Sequence, residues 1–382
     1  MPIFLTNEEQ AACITPDEAI DAMAEGSKQF SLGNAIRRPR IDNYLPTSRP
    51  TEHFCFSSME GGVRSGYYAL RIKPDILSWP VVNGMRRRVS YCARPGQYGG
   101  LVFLFSTETA ELVAIMNDGY IQHVRVAATA ALGIRYLARR NAAVVGMFGS
   151  GGMARHYGQA LKSVIAVKEL LVFSPNKNNL QNYCNEMGKQ LGFEVVPSQN
   201  PREVAEKADV LCLCTNSQDP VIDSDWMKPG LHLTNVRTTE LSREVCSRIE
   251  VAGLLTRRTP PSVQKFVDDD FEIRGDSMAY VGGQPEEKAK IPRGAPANER
   301  YPNARYVDCC DWETGKPYER GSDEITILAT NSMGIREGDA GASAGNQGIQ
   351  FATVAGRIYE NARKLNVGQS LPMEMFLQDI PT

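Results

Sequence analysis

The chain has 382 residues, 42 % of them hydrophobic and 23 % charged, which is the composition of an ordinary globular protein. Forty-two basic and forty-four acidic side chains leave a net charge of −2, so the chain lacks the positive excess of a dedicated nucleic-acid binder. Its apolar runs, such as 101–105 and 210–214, fall far short of the ~20 residues that a membrane span requires. At roughly 150 residues per domain, the length predicts two to three domains.

The cysteines and histidines predict neither disulfides nor a metal centre. The nine cysteines are odd in number and scattered, and the first residues lack the basic start and long apolar run of a secretory signal. We therefore expect free thiols in a reducing, cytoplasmic protein. The four histidines are dispersed without metal-ligand spacing, so we expect no metal.

The first 125 residues predict a helix followed by a mostly antiparallel sheet. Apolar residues at helical spacing, among them Ile20 and Met23, predict the helix over 15–33. Short apolar runs separated by turn residues then predict strands. These runs are 54–56, 67–72, 101–105 and 110–115.

A different pattern begins near Arg125. An alanine-rich stretch over 124–137 predicts one long helix, and strands then alternate with helices. The predicted strands are 143–148, 169–173, 194–196, 210–215, 231–236 and 249–251, with helices over 153–163 and 178–191. Such alternation indicates βαβ units and a parallel sheet covered on both faces.

The last part of the chain predicts a long insertion before regular structure resumes. Residues 271–320 are polar and rich in Gly and Pro, which is compatible with a lid, an oligomer contact or a solvated loop. A strand-like run at 324–329 and a helix with many small residues over about 342–364 follow.

A glycine loop stands directly after the strand predicted at 143–148. Gly149, Gly151 and Ala154 form the G-x-G-x-x-A pattern, which permits a tight turn, close approach of a pyrophosphate and close helix–strand packing. The N-terminus of the next helix adds free N–H groups and a positive dipole end. The predicted phosphate-binding residues are Gly149, Ser150, Gly151, Gly152, Met153 and Ala154.

The next strand ends without the acidic residue that commonly holds the ribose hydroxyls of NAD. Ser174, Asn176 and Lys177 stand there and suit a 2′-phosphate, which favours NADP over NAD. The alternative is that Lys177 is a solvated residue opening the next helix. Thr215 and Asn216 follow a later strand and predict further cofactor contacts, or else a plain polar turn.

Four stretches, taken in order, resemble the ornithine cyclodeaminase/μ-crystallin family. They are 118–128 with Arg125, the glycine loop, 230–236 after the segment 215–220, and 323–327 followed by Ser332, Gly334 and Asp339. The resemblance covers about residues 15–270 and 321–370. No single motif is diagnostic, but their order is specific.

The resemblance implies an α/β fold with a Rossmann-type parallel sheet domain and an α+β substrate and dimerisation domain completed by the C-terminal helix. The implied boundaries are 1–136 for the N-terminal part of the substrate domain, 137–320 for the Rossmann domain with its insertion at about 271–320, and 321–382 for the returning strand and helix. It also implies cofactor contacts from Val236, Ser332 and Gly334. A homodimer or higher homo-oligomer is expected.

Basic residues of the first unit are the candidate substrate ligands. Arg125 lies near the start of an otherwise alanine-rich helix and matches the family's substrate-binding arginine, and a bidentate contact with a carboxylate would use its geometry. Arg40 resembles another carboxylate-binding arginine, although Arg37 and Arg38 leave its register open. Arg71 and Lys73 share one face of a strand, so either can reach the pocket, or both are solvated.

The chain departs from the cyclodeaminase pattern after Val236. Cyclodeaminases place a catalytic Asp there, whereas the aligned position in this chain is Thr239. Glu240 is the nearest carboxylate and is a candidate general acid or base, or else it lies near the cap of a following helix. Loss of the Asp weakens cyclodeamination more than it weakens imine or amino-acid redox chemistry.

Together these features predict an NAD(P)-dependent oxidoreductase that interconverts an imino or keto acid with an amino acid. Its expected partner is a small carboxylate-bearing substrate, with no nucleic acid and no membrane. Two alternatives stay open. One is a redox-neutral lyase of the ornithine cyclodeaminase type, and the other is a non-enzymatic NADPH-binding protein like the crystallin members.

Overall fold

The computed structural model describes residues 1–38, 40–82, 84–255, 271–274, 277–281, 284–291, 301–329 and 347–380. Two sheets form the framework of this part of the chain, with helices on and between them. None of the helices in it is long and apolar enough to cross a membrane.

The strands, in chain order, are β1 (Ile3–Leu5), β2 (Ala35–Arg37), β3 (Arg40–Pro46), β4 (His53–Val63), β5 (Tyr67–Ser78), β6 (Val81–Val82), β7 (Met85–Arg86), β8 (Val89–Tyr91), β9 (Leu101–Ser106), β10 (Leu112–Asn117), β11 (Val144–Phe148), β12 (Glu169–Phe173), β13 (Glu194–Ser198), β14 (Val210–Leu213), β15 (His232–Asn235), β16 (Val251–Leu254), β17 (Phe271–Arg274), β18 (Ser277–Val281), β19 (Arg305–Asp308), β20 (Cys310–Asp311), β21 (Lys316–Pro317), β22 (Thr326–Leu328) and β23 (Gln369–Ser370).

The helices are α1 (Asn7–Ala12), α2 (Pro16–Ser31), α3 (Asp118–Leu137), α4 (Gly152–Leu161), α5 (Lys177–Leu191), α6 (Pro201–Lys207), α7 (Arg243–Ser247), α8 (Pro285–Lys288) and α9 (Gln347–Leu365). Short 3₁₀ turns lie at Ser224–Trp226, Thr238–Glu240 and Met373–Met375.

The first sheet comes mainly from the N-terminal third of the chain. Its strand order is β17-β18-β3-β4-β5-β9-β10-β1-β23, with β2 beside β4 and β8 beside β5. Most neighbouring strands are antiparallel, as the short apolar runs predict, but β1 runs parallel to β10 and β18 runs parallel to β3. Buried and half-buried residues alternate along β4 and β9 because one face of the sheet packs on helices.

The second sheet is parallel throughout the strands described, in the order β13-β12-β11-β14-β15-β22-β16-β19. Val210–Leu213 is buried at every position, as expected for a strand with helices on both faces. The chain leaves β11 toward β12 on one side and returns to β14 on the other, so a switch point lies at the carboxyl end of β11.

Two helices connect the sheets. α3 starts directly after β10 and leads to β11, and its alanine-rich faces are buried, including Ala127 and Ala131. α9 returns to the first sheet near β4, where Gly348 lies so close to the strand that a Cβ would stand 1.8 Å from the carbonyl oxygen of Glu60. Only glycine permits this approach. The predicted fold class, a Rossmann-type sheet plus an α+β unit completed by the C-terminal helix, is confirmed.

The segment 271–320 contributes to both sheets. β17 and β18 extend the first sheet beyond β3, whereas β19 forms the edge of the second sheet beside β16. These strands have only four or five residues each, which is too short to establish a hydrophobic period, so the sequence indicates only an insertion there. Residues 342–346, where the last helix is predicted to start, lie outside the described residues.

Candidate active site

A cavity of about 440 Å³ lies between the two sheets. Its floor is the inner face of β3, β4 and β5, and one wall comes from α3 and α9. The opposite wall comes from β15 and the residues that follow it, Val236 to Thr239. The cavity therefore joins the carboxyl end of the parallel sheet, where open α/β sheets bind ligands, to the polar floor of the first sheet.

The floor is a grid of side chains set by strand register. Three strands each contribute every second residue to the inner face, so the residues form rows across the sheet. Neighbouring rows are about 7 Å apart, since each residue of a strand advances the chain by about 3.4 Å. The rows are Arg40–Met59–Arg71, Asp42–Ser57–Lys73 and Tyr44–Cys55–Asp75.

Arg71 forms a buried ion pair with Asp118, the first residue of α3. Its Nε and Nη2 donate to Oδ2 of Asp118 at 2.9 and 2.6 Å, and both side chains are about 5 % exposed or less. Burial lowers the pKa of Arg71, and the neighbouring Asp118 opposes that shift. The pair fixes the guanidinium at the inner end of the cavity.

Arg125 lies beside it, at the contact between α3 and α9. Its Nη1 donates to Oε1 of Gln350 at 2.5 Å and its Nη2 donates to Oε1 of Gln122 at 2.9 Å. The guanidinium also stacks over the ring of Phe351, 4.5 Å from the centroid. The C-terminal helix thus orients the arginine that the sequence singled out. Gln350 and Phe351 carry no local signal of this role.

Three further cations of the cavity contact carboxylates of the second and third rows. Arg40 Nε contacts Asp42 Oδ1 at 2.8 Å. Lys73 Nζ and Arg88 Nη2 both contact Oδ2 of Asp75, at 3.1 and 3.5 Å. Burial lowers the pKa of Lys73, although Asp75 raises it. One buried carboxylate therefore holds two basic side chains next to each other.

Arg88 belongs to residues 84–91, which we call the strap. The strap pairs with β5 through β8 at one end. At the other end the backbone N–H of Arg86 donates to Asp219 at 2.8 Å and its carbonyl accepts from Gln218 at 2.9 Å. It therefore crosses from the first sheet to the loop after β14 and covers the cavity. Three consecutive arginines, Arg86-Arg87-Arg88, are the feature of the sequence that could have identified this segment. None of them is among the predicted site residues.

The glycine loop has the geometry that a dinucleotide requires. Gly149 has a φ of +105°, and a Cβ there would stand 2.4 Å from the carbonyl oxygen of Cys214. A Cβ on Gly151 would meet nothing within 4 Å. α4 starts at the next residue without a side-chain cap, so its first N–H groups face the open space beside Gly151. These residues fit a pyrophosphate group, and Ala154 is fully buried against the strand.

The residues after β12 lie beside this loop. The hydroxyl of Ser174 accepts from that of Ser150 at 3.0 Å, which places it next to the phosphate-binding turn. Asn176 caps α5, since its Oδ1 accepts from the N–H of Asn179 at 3.0 Å. Lys177, the first residue of α5, is exposed. No acidic side chain occurs between β12 and α5.

Glu240 lies behind the cavity wall and does not line the cavity. It is fully buried. Its Oε1 accepts from the backbone N–H and the hydroxyl of Thr215, both at 2.7 Å, and its Oε2 accepts from the N–H groups of Val236 and Arg237, at 3.0 and 2.7 Å. Burial raises the pKa of Glu240 to about 7, although these hydrogen bonds lower it. The carboxylate joins the chain after β14 to the chain after β15.

The structure thus divides the predicted site residues into groups. Arg40, Arg71, Lys73, Arg125, Met153 and Val236 meet at the cavity. The glycine loop and Ser174 lie together at the end of β11, whereas Glu240 and Thr215 support the wall. Ser332 and Gly334 lie outside the described residues. Within the residues described, no three His, Cys, Asp or Glu side chains are arranged to hold a metal ion.

Comparison with known proteins agrees with this architecture. The model of the ornithine cyclodeaminase/mu-crystallin family matches residues 81–253, which include the strap, α3 and the glycine loop. Over these residues the chain is similar to that family. Alanine dehydrogenase of Archaeoglobus fulgidus is 25 % identical to it over 97 % of the chain and 98 % of that protein.

Solved structures share the whole fold. An archaeal alanine dehydrogenase dimer with bound NAD has a TM-score of 0.68 at 22 % identity, covering 97 % of this chain and 99 % of that one. Thermococcus litoralis Δ1-pyrroline-2-carboxylate reductase, in complex with NADH and L-proline, has a TM-score of 0.67 at 18 % identity, covering 97 % and 100 %. The chain therefore shares its fold with both proteins.

Proposed function

We propose that the protein is an NAD(P)-dependent oxidoreductase that interconverts an imino or keto acid with its amino acid. The observation that carries the proposal is the cavity itself, which has the end of the parallel sheet on one side and Arg71 and Arg125 on the other. A guanidinium fork matches a carboxylate, and the described dehydrogenase and reductase relatives act on amino or imino acids. In this proposal the first sheet with α9 binds substrate, and the second sheet binds the cofactor.

The chain's own residues would chiefly hold and orient the substrate. Arg125 is buried and oriented by two amides and a ring, so it loses little conformational freedom on binding a carboxylate. The bound nicotinamide supplies or accepts the hydride.

Glu240 has a positioning role in this proposal. Both of its oxygens are engaged by main-chain and hydroxyl donors, so neither faces a substrate in the cavity. It fixes Val236 and Arg237, which line the cofactor side of the cavity. Among the described residues after Val236, no other carboxylate stands at the wall. This supports redox chemistry over a cyclodeaminase reaction that depends on such a group.

We further propose a preference for NADP. The supporting observations are the absence of an acidic residue between β12 and α5, and the position of Ser174 beside the glycine loop with Lys177 exposed nearby. A 2′-phosphate would meet hydroxyl and ammonium donors there, and no carboxylate of that turn would repel it.

A homodimer is proposed from the outer face of the first sheet. Large apolar side chains cover this face and are only half-buried in the single chain, which is unusual for a face exposed to water. They are Phe54, Phe56, Leu70, Ile72, Ile76, Leu101, Phe103, Phe105, Val113 and Ile115. A cytoplasmic location is proposed as well, because all nine cysteines are free thiols and eight of them are buried.

The test is a turnover assay with cofactor binding measured separately. Purified protein is mixed with NADPH or NADH and a panel of 2-oxo acids with ammonia and of cyclic ketimines. We expect oxidation of the cofactor with at least one compound, and a higher kcat/KM with NADPH. Bound cofactor without oxidation by any compound would overturn the proposal. Ammonia release from a diamino acid without net change in the cofactor would assign the lyase reaction in its place.

A further inference from the structure

We infer that the substrate carries a second acidic group, which binds at the Lys73–Arg88 end of the cavity while its α-carboxylate binds at the Arg71–Arg125 end. The reaction of such a substrate rests on the proposed function. The binding of a second anion at this end of the cavity does not depend on it. It identifies the substrate class as an amino, imino or keto acid with an acidic side chain.

The charges of the cavity divide into two ends. At the inner end, Arg40, Arg71 and Arg125 stand with two carboxylates, Asp42 and Asp118. At the outer end, Lys73, Arg86 and Arg88 stand with Asp75 and Asp219. Within these two groups, each end has one more positive charge than negative charges, and Arg237 on the opposite wall is a further cation that lines the cavity. A substrate with one carboxylate would neutralise only one end.

Different carboxylates hold the cations of the two ends at different places along the floor. Arg71 lies in the first row of the floor, Lys73 in the second and Asp75, which holds Arg88, in the third. Along β5 the backbone of Asp75 is about 14 Å from that of Arg71, because four residues advance the strand by about 3.4 Å each. A ligand that satisfies both ends needs two anionic groups separated by a spacer.

The outer end is built as an anion site. Asp75 is 2 % exposed and uses one oxygen, Oδ2, to hold both Lys73 Nζ and Arg88 Nη2. An ammonium group has three N–H donors and a guanidinium has five. The described contacts with oxygen use one donor of each side chain, so the remaining donors of two adjacent cations are available to a ligand.

Burial strengthens this site. The side chains of Lys73 and Arg88 are only 20 % and 19 % exposed, so their charges are screened less by water than surface charges are. The strap holds Arg88 over the cavity through its bonds to β5 and to the loop 217–219. The second subsite therefore exists before a substrate binds.

Calorimetry on the full chain loaded with NADP tests the second subsite without turnover. The probes are succinate and glutarate, compared with propionate and butyrate, which lack the second carboxylate. We expect the dicarboxylates to bind at least about tenfold more tightly, and Arg88→Gln to remove that difference. Arg94→Gln is the matched control, because Arg94 is exposed and lies outside the cavity. Equal affinities for the two classes in the wild-type protein would overturn the inference.

The turnover arm compares oxaloacetate and 3-phosphonopyruvate with 2-oxobutyrate, each with ammonia and NADPH. Oxaloacetate carries a second carboxylate and 3-phosphonopyruvate carries a phosphonate, so their rates show which anion the site prefers. 2-Oxobutyrate carries neither group. We expect Arg88→Gln to lower kcat/KM for the acidic substrates by ten- to a hundredfold and for 2-oxobutyrate by less than about threefold, with recovery in Arg88→Lys. Equal loss for all substrates would overturn the inference. Absence of turnover with every compound, with selective dicarboxylate binding retained, would instead overturn the proposed function.

Discussion

The carboxylate of Glu240 accepts two hydrogen bonds from Thr215, one from its backbone N–H and one from its hydroxyl, both at 2.7 Å. Thr215 follows β14 and Glu240 follows β15, so the pair joins the ends of two adjacent parallel strands. Val236 to Thr239 after β15 line the cavity, as does Gln218 in the loop after β14. A residue that the sequence offered as a general acid or base therefore shapes the wall from behind.

Glu240→Gln is expected to destabilise the fold while leaving the pH dependence of turnover unchanged. An amide offers one acceptor oxygen, and its NH₂ group would face backbone N–H donors. The free energy of unfolding should fall by about 1–3 kcal/mol, as measured by urea denaturation. Asp and Gln variants should share the pH profile of the wild-type enzyme. Loss of one limb of that profile in a variant of normal stability would assign proton transfer to Glu240.

Arg125→Gln is expected to weaken substrate binding and spare the cofactor. The guanidinium lies at the substrate end of the cavity, away from the glycine loop, so kcat/KM should fall by about a hundredfold or more while the Kd for NADPH changes less than about twofold. Steady-state kinetics and fluorescence titration measure the two quantities. Arg135→Gln, on the exposed side of the same helix, is the control. A parallel loss of cofactor affinity would contradict this division.

Gly151→Ala is expected to weaken cofactor binding while leaving the stability of the fold nearly unchanged. The added methyl group would meet no protein atom within 4 Å, so the free energy of unfolding should change by less than about 0.5 kcal/mol. It would occupy the space in which a pyrophosphate approaches the backbone, so the Kd for NADPH should rise at least about tenfold. Gly188→Ala, which also has open space but lies inside α5, should leave the Kd unchanged and raise the free energy of unfolding by up to about 1 kcal/mol. Normal NADPH affinity in Gly151→Ala would count against the loop as the phosphate site.

Stability should decrease in acid because of His123. Burial lowers the pKa of its imidazole from 6.5 to about 4, and the stacked His156, 5.1 Å away, adds to the shift. The unfolded chain therefore takes up a proton at a higher pH than the folded chain does. The stability contributed by the neutral imidazole is complete above pH 6.5 and is lost as the pH falls toward 4, by about 3 kcal/mol.

Urea denaturation at several pH values measures this loss. His123→Gln removes the titrating group, so the variant should lose less stability than the wild-type protein between pH 6.5 and pH 4. If both proteins lose the same free energy over that range, other groups account for the acid sensitivity.

Phe103→Asp is expected to convert the proposed dimer to a monomer. Phe103 lies in the middle of the outer face of the first sheet, opposite Leu70 of β5. A carboxylate there would be desolvated in an interface but can be hydrated in a single chain. Sedimentation equilibrium measures the state, and Met375→Asp, at a side chain that is 70 % exposed, is the control. A wild-type monomer, or an unchanged dimer in the variant, would refute an interface on this face.

Local patterns determined much of the fold and the cofactor loop. The alternation of apolar strands with helices after residue 137 depends on hydrophobic periodicity, and the glycine loop depends on backbone freedom at positions only a few residues apart. Both are properties of short segments, so they can be read without the rest of the chain. The short strands β17, β18 and β19 could not, because the sheets that they join are formed by residues far away in sequence.

The tertiary structure alone decided how the site is assembled. Arg125 and Gln350 are 225 positions apart, and no sequence spacing relates them. Asp75 and Arg88 meet only because the strap folds back from β5. Burial and hydrogen bonding likewise set the role of Glu240, since the same carboxylate would be free to act on a substrate if it faced the cavity. Residue type limits the chemistry that a side chain can perform, but its neighbours in the fold determine which part of that chemistry it contributes.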